Sequence, residues 1–295
     1  MNPKWLRTIL TTGMPLKIVV AAAMIVLSLG GSARAGYFQG FESNSFQAYT
    51  PSGPTSVYSN WYAVNNSTDA NPNFPWMQAD PALNLFDAQA GTANSYFNAN
   101  YASTNTLASN STISNWLISP QFAWTDGDSF SFWTRTAGSS TDPNRPSPYP
   151  DRMEVRISAN GSSVDVGNSP TSVGDFSTLL LNINPGQAQT TVTSTGLDGY
   201  PITWTQYTVT LSVNSNGAIT SLDPVQVNQG TPGATFTGRL AFRYFIQNTS
   251  LNGNLVALDS FGSTANMVPE PASYVMIGIG LSAVAIYRNR KRIAG

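Results

Sequence analysis

Carboxylates are the side chains whose types and positions best fit chemistry in this sequence, and they fit metal binding better than catalysis. The 295-residue chain has no histidine and no cysteine, which excludes Ser-His-Asp and Cys-His nucleophile systems and an ordinary zinc site. Glu42 and Asp259 are hard oxygen donors of the kind that calcium prefers. If the first and last strands of a β-sandwich lie side by side, these two residues meet, and we predict a structural calcium site there. The alternative is that Glu42 is a surface carboxylate and that Asp259 is a strand-end residue hydrogen-bonded to a loop.

A polysaccharide-acting enzyme is the alternative to a non-catalytic protein, because a glycosidase needs only two carboxylates about 5 to 10 Å apart. Between residues 36 and 267 the only glutamates are Glu42 and Glu154. Glu154 alternates with apolar residues, which predicts a solvated position beside Arg156 on the outer face of a strand. No compact acidic motif marks a cleft. We therefore predict that the protein is not an enzyme.

Tryptophans provide a second group of candidate binding residues, because sugar rings stack on exposed aromatic faces. Trp61 and Trp76 stand among loop-like residues, and we predict that these two bind glycan. Aromatic residues in strands more often belong to a core. Trp116, which lies in an apolar run, is therefore predicted to be buried.

The central part of the chain is acidic. Residues 36–267 contain six arginines, no lysine, two glutamates and twelve aspartates, which gives a net charge of about −8. The net charge of −1 for the whole chain hides this, because the other basic residues lie near the two ends. A segment without lysine argues against nucleic acid as a partner, since phosphates require cationic neutralisation. Calcium, neutral glycans or basic partners suit it better.

Short alternating segments predict an all-β fold. Apolar and polar residues alternate between turn-rich stretches, and no amphipathic helix pattern of useful length is present. Half-buried strands are predicted at 130–134 and 153–158, and further strands at 116–118, 207–211, 240–245 and 254–261. Many short strands at this spacing predict a jelly-roll-like antiparallel β-sandwich, formed by residues 36–267 as one domain.

The N-terminus has the pattern of a secretory signal peptide. Basic residues precede an apolar stretch at 18–29, and Ala33 and Ala35 supply the small residues that a signal peptidase needs. An uncleaved helix is the alternative, but twelve apolar residues are few for a membrane span. We predict a signal helix within residues 1–35 and cleavage after Ala35, so that the mature chain begins at Gly36.

The last 28 residues combine three features in a fixed order. Val268-Pro269-Glu270-Pro271 precedes a mainly apolar run at 272–287, which is followed by a basic cluster at 288–292. The two prolines end the folded domain, because each lacks an N–H donor and restricts the residue before it. As a helix the apolar run reaches roughly 24 Å, a marginal span for a hydrocarbon core of about 30 Å. We predict a C-terminal transmembrane helix at 272–287, with the basic cluster on the cytoplasmic side.

In this order of features the tail resembles the PEP-CTERM sorting signal of Gram-negative bacteria. The resemblance implies that residues 268–295 are recognised by an exosortase, a membrane protease-transpeptidase, with Val268, Pro269, Glu270 and Pro271 as the sorting motif. It also implies export in a species that builds extracellular polysaccharide. An ordinary C-terminal anchor is the alternative, and both interpretations place the domain outside the inner membrane.

A second resemblance spans nearly the whole central segment. Asn-Trp-Leu-Ile-Ser-Pro at 115–120 is its most specific part, and the order of the motifs at 38–42, 130–133, 153–158, 239–243 and 258–259 adds to it. These motifs resemble a choice-of-anchor J or cleaved-adhesin domain, and the stretch 160–201 departs from that pattern. The resemblance implies a jelly-roll sandwich related in shape to MAM and carbohydrate-binding modules. It also implies a structural calcium near the termini, in keeping with the pair of Glu42 and Asp259.

Together these patterns predict an exported, surface-sorted protein, first anchored in the inner membrane and then located at the cell surface or outside the cell. Signal peptidase and an exosortase are the predicted processing enzymes. The predicted ligands are an extracellular polysaccharide or a surface protein, and calcium is the one predicted cofactor.

Overall fold

The structure is a computed structural model, and it describes residues 36–42, 55–58, 60–80, 85–107, 110–139, 142–193, 196–216, 218–222 and 231–269. The predicted signal helix and the predicted C-terminal helix lie outside these residues. Within the described ranges, no helix has the length and apolar character needed to cross a membrane.

The described residues form β-strands and one short 3₁₀ turn at Tyr101–Ser103. In chain order the strands are β1 (Tyr37–Gln39), β2 (Thr55–Tyr58), β3 (Trp61–Asn65), β4 (Met77–Gln78), β5 (Phe97–Asn100), β6 (Ile113–Ile118), β7 (Phe122–Thr125), β8 (Ser129–Thr136), β9 (Gly138–Ser139), β10 (Asp142–Pro146), β11 (Met153–Ser158), β12 (Thr178–Ile183), β13 (Thr191–Thr193), β14 (Gly196–Asp198), β15 (Thr205–Val213), β16 (Ile219–Leu222), β17 (Thr235–Ile246), β18 (Leu255–Ser263) and β19 (Asn266–Met267).

Two antiparallel sheets contain most of these strands. The front sheet has the order β16-β15-β8-β18-β5-β4, and β1 also pairs with β18. The back sheet has the order β12-β11-β17-β6-β3-β2, and β7 pairs with both β17 and β19. The hairpins β9–β10 and β13–β14 form separate two-stranded sheets. The predicted all-β, antiparallel, sandwich-like class is confirmed for the described residues.

The main core lies between the two sheets and is rich in aromatic rings. Phe132 of the front sheet and Phe242 of the back sheet have ring centroids 5.0 Å apart, in an edge-to-face arrangement. Trp61 and Phe261 face each other across the same interior at 5.3 Å. Edge-to-face pairs at these distances are favourable beyond the apolar area that they bury, so the two sheets are held together largely by ring packing.

Connecting segments cover parts of the outer faces of both sheets. On the back sheet, Val166 and Phe176 pack onto Trp116 of β6. On the front sheet, Tyr96 belongs to a second buried cluster with Ala257 of β18. As a result, β6 is buried at every position, on the inner and the outer face alike. An outward-pointing side chain is therefore not necessarily exposed in this protein.

Candidate functional site

The first strand lies beside β18, and this pairing brings Glu42 and Asp259 to the same part of the front sheet. Tyr37 of β1 pairs with Ser263 of β18, and Glu42 stands three residues after the end of β1. Asp259 lies at a β-bulge, where the register between β18 and β8 shifts before Gly262. Because a bulge re-aims the neighbouring side chains, the local backbone of β18 sets the direction of this carboxylate.

Asp259 is a fully buried carboxylate that is held by backbone N–H groups. Its Oδ2 accepts hydrogen bonds from the backbone N–H of Gln89 at 2.8 Å and of Ala90 at 3.2 Å, and its Oδ1 accepts one from Ser260 at 2.6 Å. Burial, together with a smaller contribution from the charge of Glu42, raises the pKa of Asp259 to about 6 against these hydrogen bonds. No salt bridge reaches Asp259 from the part of the chain that the structure describes. Its negative charge is therefore desolvated without a cation beside it.

Glu42 is exposed and reaches the same connecting segment as Asp259. Its Oε2 accepts a hydrogen bond from Ser95 Oγ at 3.0 Å. A Cβ added at Gly91, where φ is +81°, would overlap both carboxylate oxygens of Glu42. Glycine fits this position because it accepts the left-handed conformation and leaves room for the carboxylate. The segment after residue 85 is therefore shaped around both acidic side chains.

The oxygen donors at this place fit part of a calcium shell, which takes about six to eight oxygens. Glu42 and Asp259 supply carboxylates, and Gln89 adds an amide oxygen, which accepts from Ser260 Oγ at 2.6 Å. Among the described residues there is no group of three or more acidic, histidine or cysteine side chains that could hold a metal ion. Backbone carbonyls and water would supply the other ligands, and the calcium site stays a prediction.

An open groove of about 430 Å³ lies on the outer face of the front sheet. Strands β1, β8, β15 and β18 line it, with Phe38, Ser131, Thr208 and Gly262 among its residues. Among the described residues that line it there is no Asp, Glu, Lys or Arg. Phe38 is 67% exposed, the most exposed large apolar side chain among the described residues.

The groove and the carboxylate pair are neighbours. A Cβ added at Gly40 would lie 3.3 Å from Cε1 of Phe38 and 3.2 Å from Oε1 of Glu42. The Phe38 ring and the Glu42 carboxylate therefore flank the same glycine. Sequence reasoning did not find this groove, because its residues come from four strands and only Phe38 stands out, as an aromatic residue next to Tyr37 in an alternating strand.

The two tryptophans predicted to bind glycan are both fully buried, so that prediction is wrong. Trp61 lies in the main core and donates from Nε1 to the Tyr37 hydroxyl at 3.1 Å. Trp76 is in the same core and donates from Nε1 to the backbone carbonyl of Asn115 at 3.0 Å. Neither ring offers a face to a sugar, because Trp61 is the first residue of β3 and both rings pack in the main core. The predicted burial of Trp116 is confirmed.

Glu154 is not solvated, which corrects the second prediction about a carboxylate. Its side chain is 3% exposed, and it forms ion pairs with Arg152 at 2.5 Å, Arg156 at 2.7 Å and Arg243 at 3.2 Å. Burial raises the pKa of Glu154, but the hydrogen bond and charge of Arg156 and the charges of the other two arginines outweigh it and hold the pKa below its usual value. Arg243 also donates to the backbone carbonyl of Pro170 at 2.6 Å. The segment around Pro170 thus covers the face that alternation predicts to be open.

The predicted sorting and cleavage residues lie mostly outside the described residues. Val268 is described, and its backbone N–H donates to the carbonyl of Gln121 at 2.8 Å. Pro269 is the last residue that the structure describes. Glu270 and Pro271 of the sorting motif lie beyond it, and Ala33 and Ala35 of the predicted cleavage site lie before the first described residue.

Comparisons with known proteins give distant structural similarity. No protein-family model and no curated protein matches the sequence. The chain is similar to a cleaved adhesin domain of Lys-gingipain from Porphyromonas gingivalis, with 15% identity and a TM-score of 0.44 over 79% of this chain and 99% of that one. A second cleaved adhesin domain of Lys-gingipain has 18% identity and a TM-score of 0.40 over 81% and 100% of the two chains. The protein TmCBM61, solved in complex with β-1,4-galactotriose, has 10% identity and a TM-score of 0.32 over 70% and 90%.

Proposed function

We propose that this protein is an exported, non-catalytic binding protein of the cell surface or the extracellular polysaccharide matrix, and that it binds a glycan or a surface protein. The groove on the front sheet is the observation that carries the proposal. It is open, and its described lining residues provide aromatic rings, glycines and hydroxyl groups, with no Asp, Glu, Lys or Arg among them. Such a lining can hold a neutral ligand, but it has no acid, base or activated nucleophile for a reaction.

The alternative function, an enzyme that cleaves polysaccharide through two carboxylates, has Glu42 and Asp259 as its candidate pair. A glycosidase needs both carboxyl groups at the scissile bond. Asp259 is fully buried and accepts backbone hydrogen bonds on both of its oxygens. The inaccessibility of this carboxylate supports binding over cleavage.

Calcium has a structural role in this proposal. An ion between Glu42 and Asp259 neutralises two carboxylates that otherwise repel each other. Because Glu42 and Phe38 flank the same glycine, the ion also holds the first strand and the adjacent side of the groove. Calcium and ligand binding are thereby linked in the proposal.

Retention on the host's extracellular polysaccharide tests the binding function. Full-length protein, purified in a mild detergent, is passed over the immobilised polysaccharide with calcium and with a chelator. We expect retention that is stronger with calcium. Release of reducing sugar from the polysaccharide would favour the enzyme instead, and failure to bind under either condition would favour a protein partner.

Sorting by an exosortase is the remaining part of the proposal. The mass of the mature protein is measured from cells with and without the exosortase. We expect the tail after the Val268-Pro269-Glu270-Pro271 motif to be removed only when the exosortase is present, and to be retained in the double variant Pro269→Ala, Glu270→Ala. An intact tail on the wild-type protein from cells that have the exosortase would contradict exosortase processing and leave an ordinary membrane anchor.

A further inference from the structure

The groove on the front sheet has unused hydrogen-bonding groups beside an exposed ring. The hydroxyls of Ser131 and Thr208 form no hydrogen bond with any other residue that the structure describes. Phe38 stands at the β1 side of the groove and is 67% exposed. At this exposure most of the Phe38 ring is accessible, so one of its faces can stack on a ligand.

We propose that this groove binds a neutral polysaccharide chain, with one sugar ring stacked on Phe38 and its hydroxyls hydrogen-bonded to Ser131 and Thr208. The inference rests on the proposed glycan-binding function, and it names the surface and the charge class of the ligand. The volume of about 430 Å³ is in the range of small-ligand sites. An apolar ring with a few polar groups near it is also the usual composition of such sites.

Charge selects a neutral glycan over the other polymers. The central segment contains no lysine and has a net charge of about −8, and no cationic side chain is present among the groove residues that the structure describes. An acidic polysaccharide or a nucleic acid would meet only repulsion there. A protein partner needs a larger contact with several buried anchors, whereas Phe38 is the one strongly exposed apolar side chain among the described residues of this groove.

The outer face of β8 continues the surface beyond the groove. Phe130, Phe132 and Thr134 are buried, so Ser131 and Trp133 point to the opposite, outer face. Trp133 is half-buried and pairs across the strands with Gln206 of β15 on one side and with Asp259 of β18 on the other. A chain bound along β8 therefore extends from Ser131 to Trp133 and towards the predicted calcium site.

Gly262 allows the groove to be closed without disturbing the core. A Cβ added there would have only Ser131 Oγ, at 3.5 Å, and the carbonyl of Tyr37, at 3.9 Å, within 4 Å, and its φ is not in the left-handed region. Gly262→Gln therefore fills the groove with a side chain that the backbone accepts. Gly186→Gln is the matched control, because Gly186 has nothing within 4 Å of its added Cβ and a φ outside the left-handed region.

The test measures binding of full-length protein to immobilised neutral oligosaccharides from glucans, galactans, mannans and xylans, and to anionic alginate and hyaluronate fragments, all with calcium. Gly262→Gln and Phe38→Ala are expected to weaken binding to the neutral ligand by about tenfold or more, since a stacking contact and its hydrogen bonds are lost. Gly186→Gln should bind like the wild type. Leu251→Ala should do so as well, because Leu251 is 64% exposed at a different place.

Each outcome decides a separate point. Wild-type binding that persists unchanged in Gly262→Gln and Phe38→Ala would overturn the groove as the site and leave glycan binding intact. Binding to the anionic fragments alone would overturn the neutral ligand class. Binding to none of the sugars would overturn the glycan-binding function and the groove together. If Gly262→Gln unfolds, the double variant Ser131→Ala, Thr208→Val takes its place, with thermal unfolding as the check that it is folded.

Discussion

Two buried carboxylates on the outer faces of opposite sheets show how differently this protein treats a desolvated negative charge. On the back sheet, Glu154 of β11 is surrounded by Arg152, Arg156 and Arg243. On the front sheet, Asp259 of β18 has backbone N–H groups around it and the like charge of Glu42 nearby. Both lie under connecting segments. Among the described residues, arginines neutralise the charge of Glu154, and no cation neutralises that of Asp259.

The pKa directions express this difference. The three arginines hold the pKa of Glu154 below its usual value in spite of burial, whereas burial raises the pKa of Asp259 to about 6. A buried carboxylate whose charge is neutralised by neighbouring arginines needs no added cation. A buried carboxylate next to a second one, without a cation, is the kind of place where an added cation stabilises the fold. The comparison thus separates a structural cluster from a candidate ion site.

The largest expected effect is the loss of the Glu154 charge. Glu154→Gln leaves three arginines close together in a buried place without their counter-charge, so we expect the free energy of unfolding to fall by about 3 to 5 kcal/mol. Urea unfolding measures this fall in the free energy of unfolding. Asp69→Asn is the control, because Asp69 is exposed and its positive φ of 46° suits asparagine. A loss no larger than that of the control would show that the arginine cluster does not need Glu154.

Calcium should act on the front sheet alone. At a concentration of about 100 times its dissociation constant, an ion that binds only the folded state adds about 2.7 kcal/mol. We expect calcium to raise the melting temperature of the wild type and of Arg156→Lys, and to have little effect on Asp259→Asn or Glu42→Gln. Differential scanning calorimetry of the full-length protein provides the measurement. An equal shift in all four proteins would remove the distinction between the two carboxylate sites.

The contributions of Asp259 and Glu154 to folding stability should change in opposite directions with pH. Asp259 has a folded-state pKa of about 6 against an ordinary value of 3.8. Between these two values the folded state holds a proton that the unfolded state has lost, so the contribution of Asp259 to stability falls as pH rises from about 4 to 6. Glu154 has a lowered pKa, and its contribution is present above its ordinary pKa and lost as pH falls through the folded value.

Urea midpoints in calcium-free buffers between pH 4 and pH 7 test the sign of the Asp259 contribution. Asp151 is also buried, with a pKa raised to about 6, so the wild type carries two contributions of the same sign. Asp259→Asn should therefore show a smaller loss of stability with rising pH than the wild type. Identical slopes for the two proteins would mean that Asp259 does not carry an unneutralised charge.

The smallest expected effect concerns the shape of the segment around Glu42. Gly91→Ala forces alanine to a φ of +81° and places its Cβ on the Glu42 carboxylate, so we expect a loss of about 1 kcal/mol or more together with a weaker response to calcium. Gly186→Ala has open space and an ordinary backbone and should leave stability and calcium response unchanged. A normal calcium response in Gly91→Ala would argue against Glu42 as a ligand of the ion.

Much of the fold was predictable from alternation. The segment at 153–158 is β11, and its Met153, Val155 and Ile157 are buried in the main core. The predicted adjacency of the first strand and the strand of Asp259 is present as the pairing of β1 with β18. The groove was not predictable in the same way, because Phe38, Ser131, Thr208 and Gly262 come from four strands whose order in the sheet is not written in any local pattern.

The sequence by itself determined the antiparallel all-β class of the central segment and the side of a strand to which a residue points, since side chains alternate with a period of two. The absence of histidine and cysteine from the sequence, and of lysine from residues 36–267, limited the possible chemistry before any fold was known. Only the tertiary structure decided which outer faces are covered. Glu154 and Trp116 point outward and are nevertheless buried, because the segment that carries Pro170 and Phe176 folds back over the back sheet. That covering depends on contacts between residues distant in the chain, and a local period of two carries no information about it.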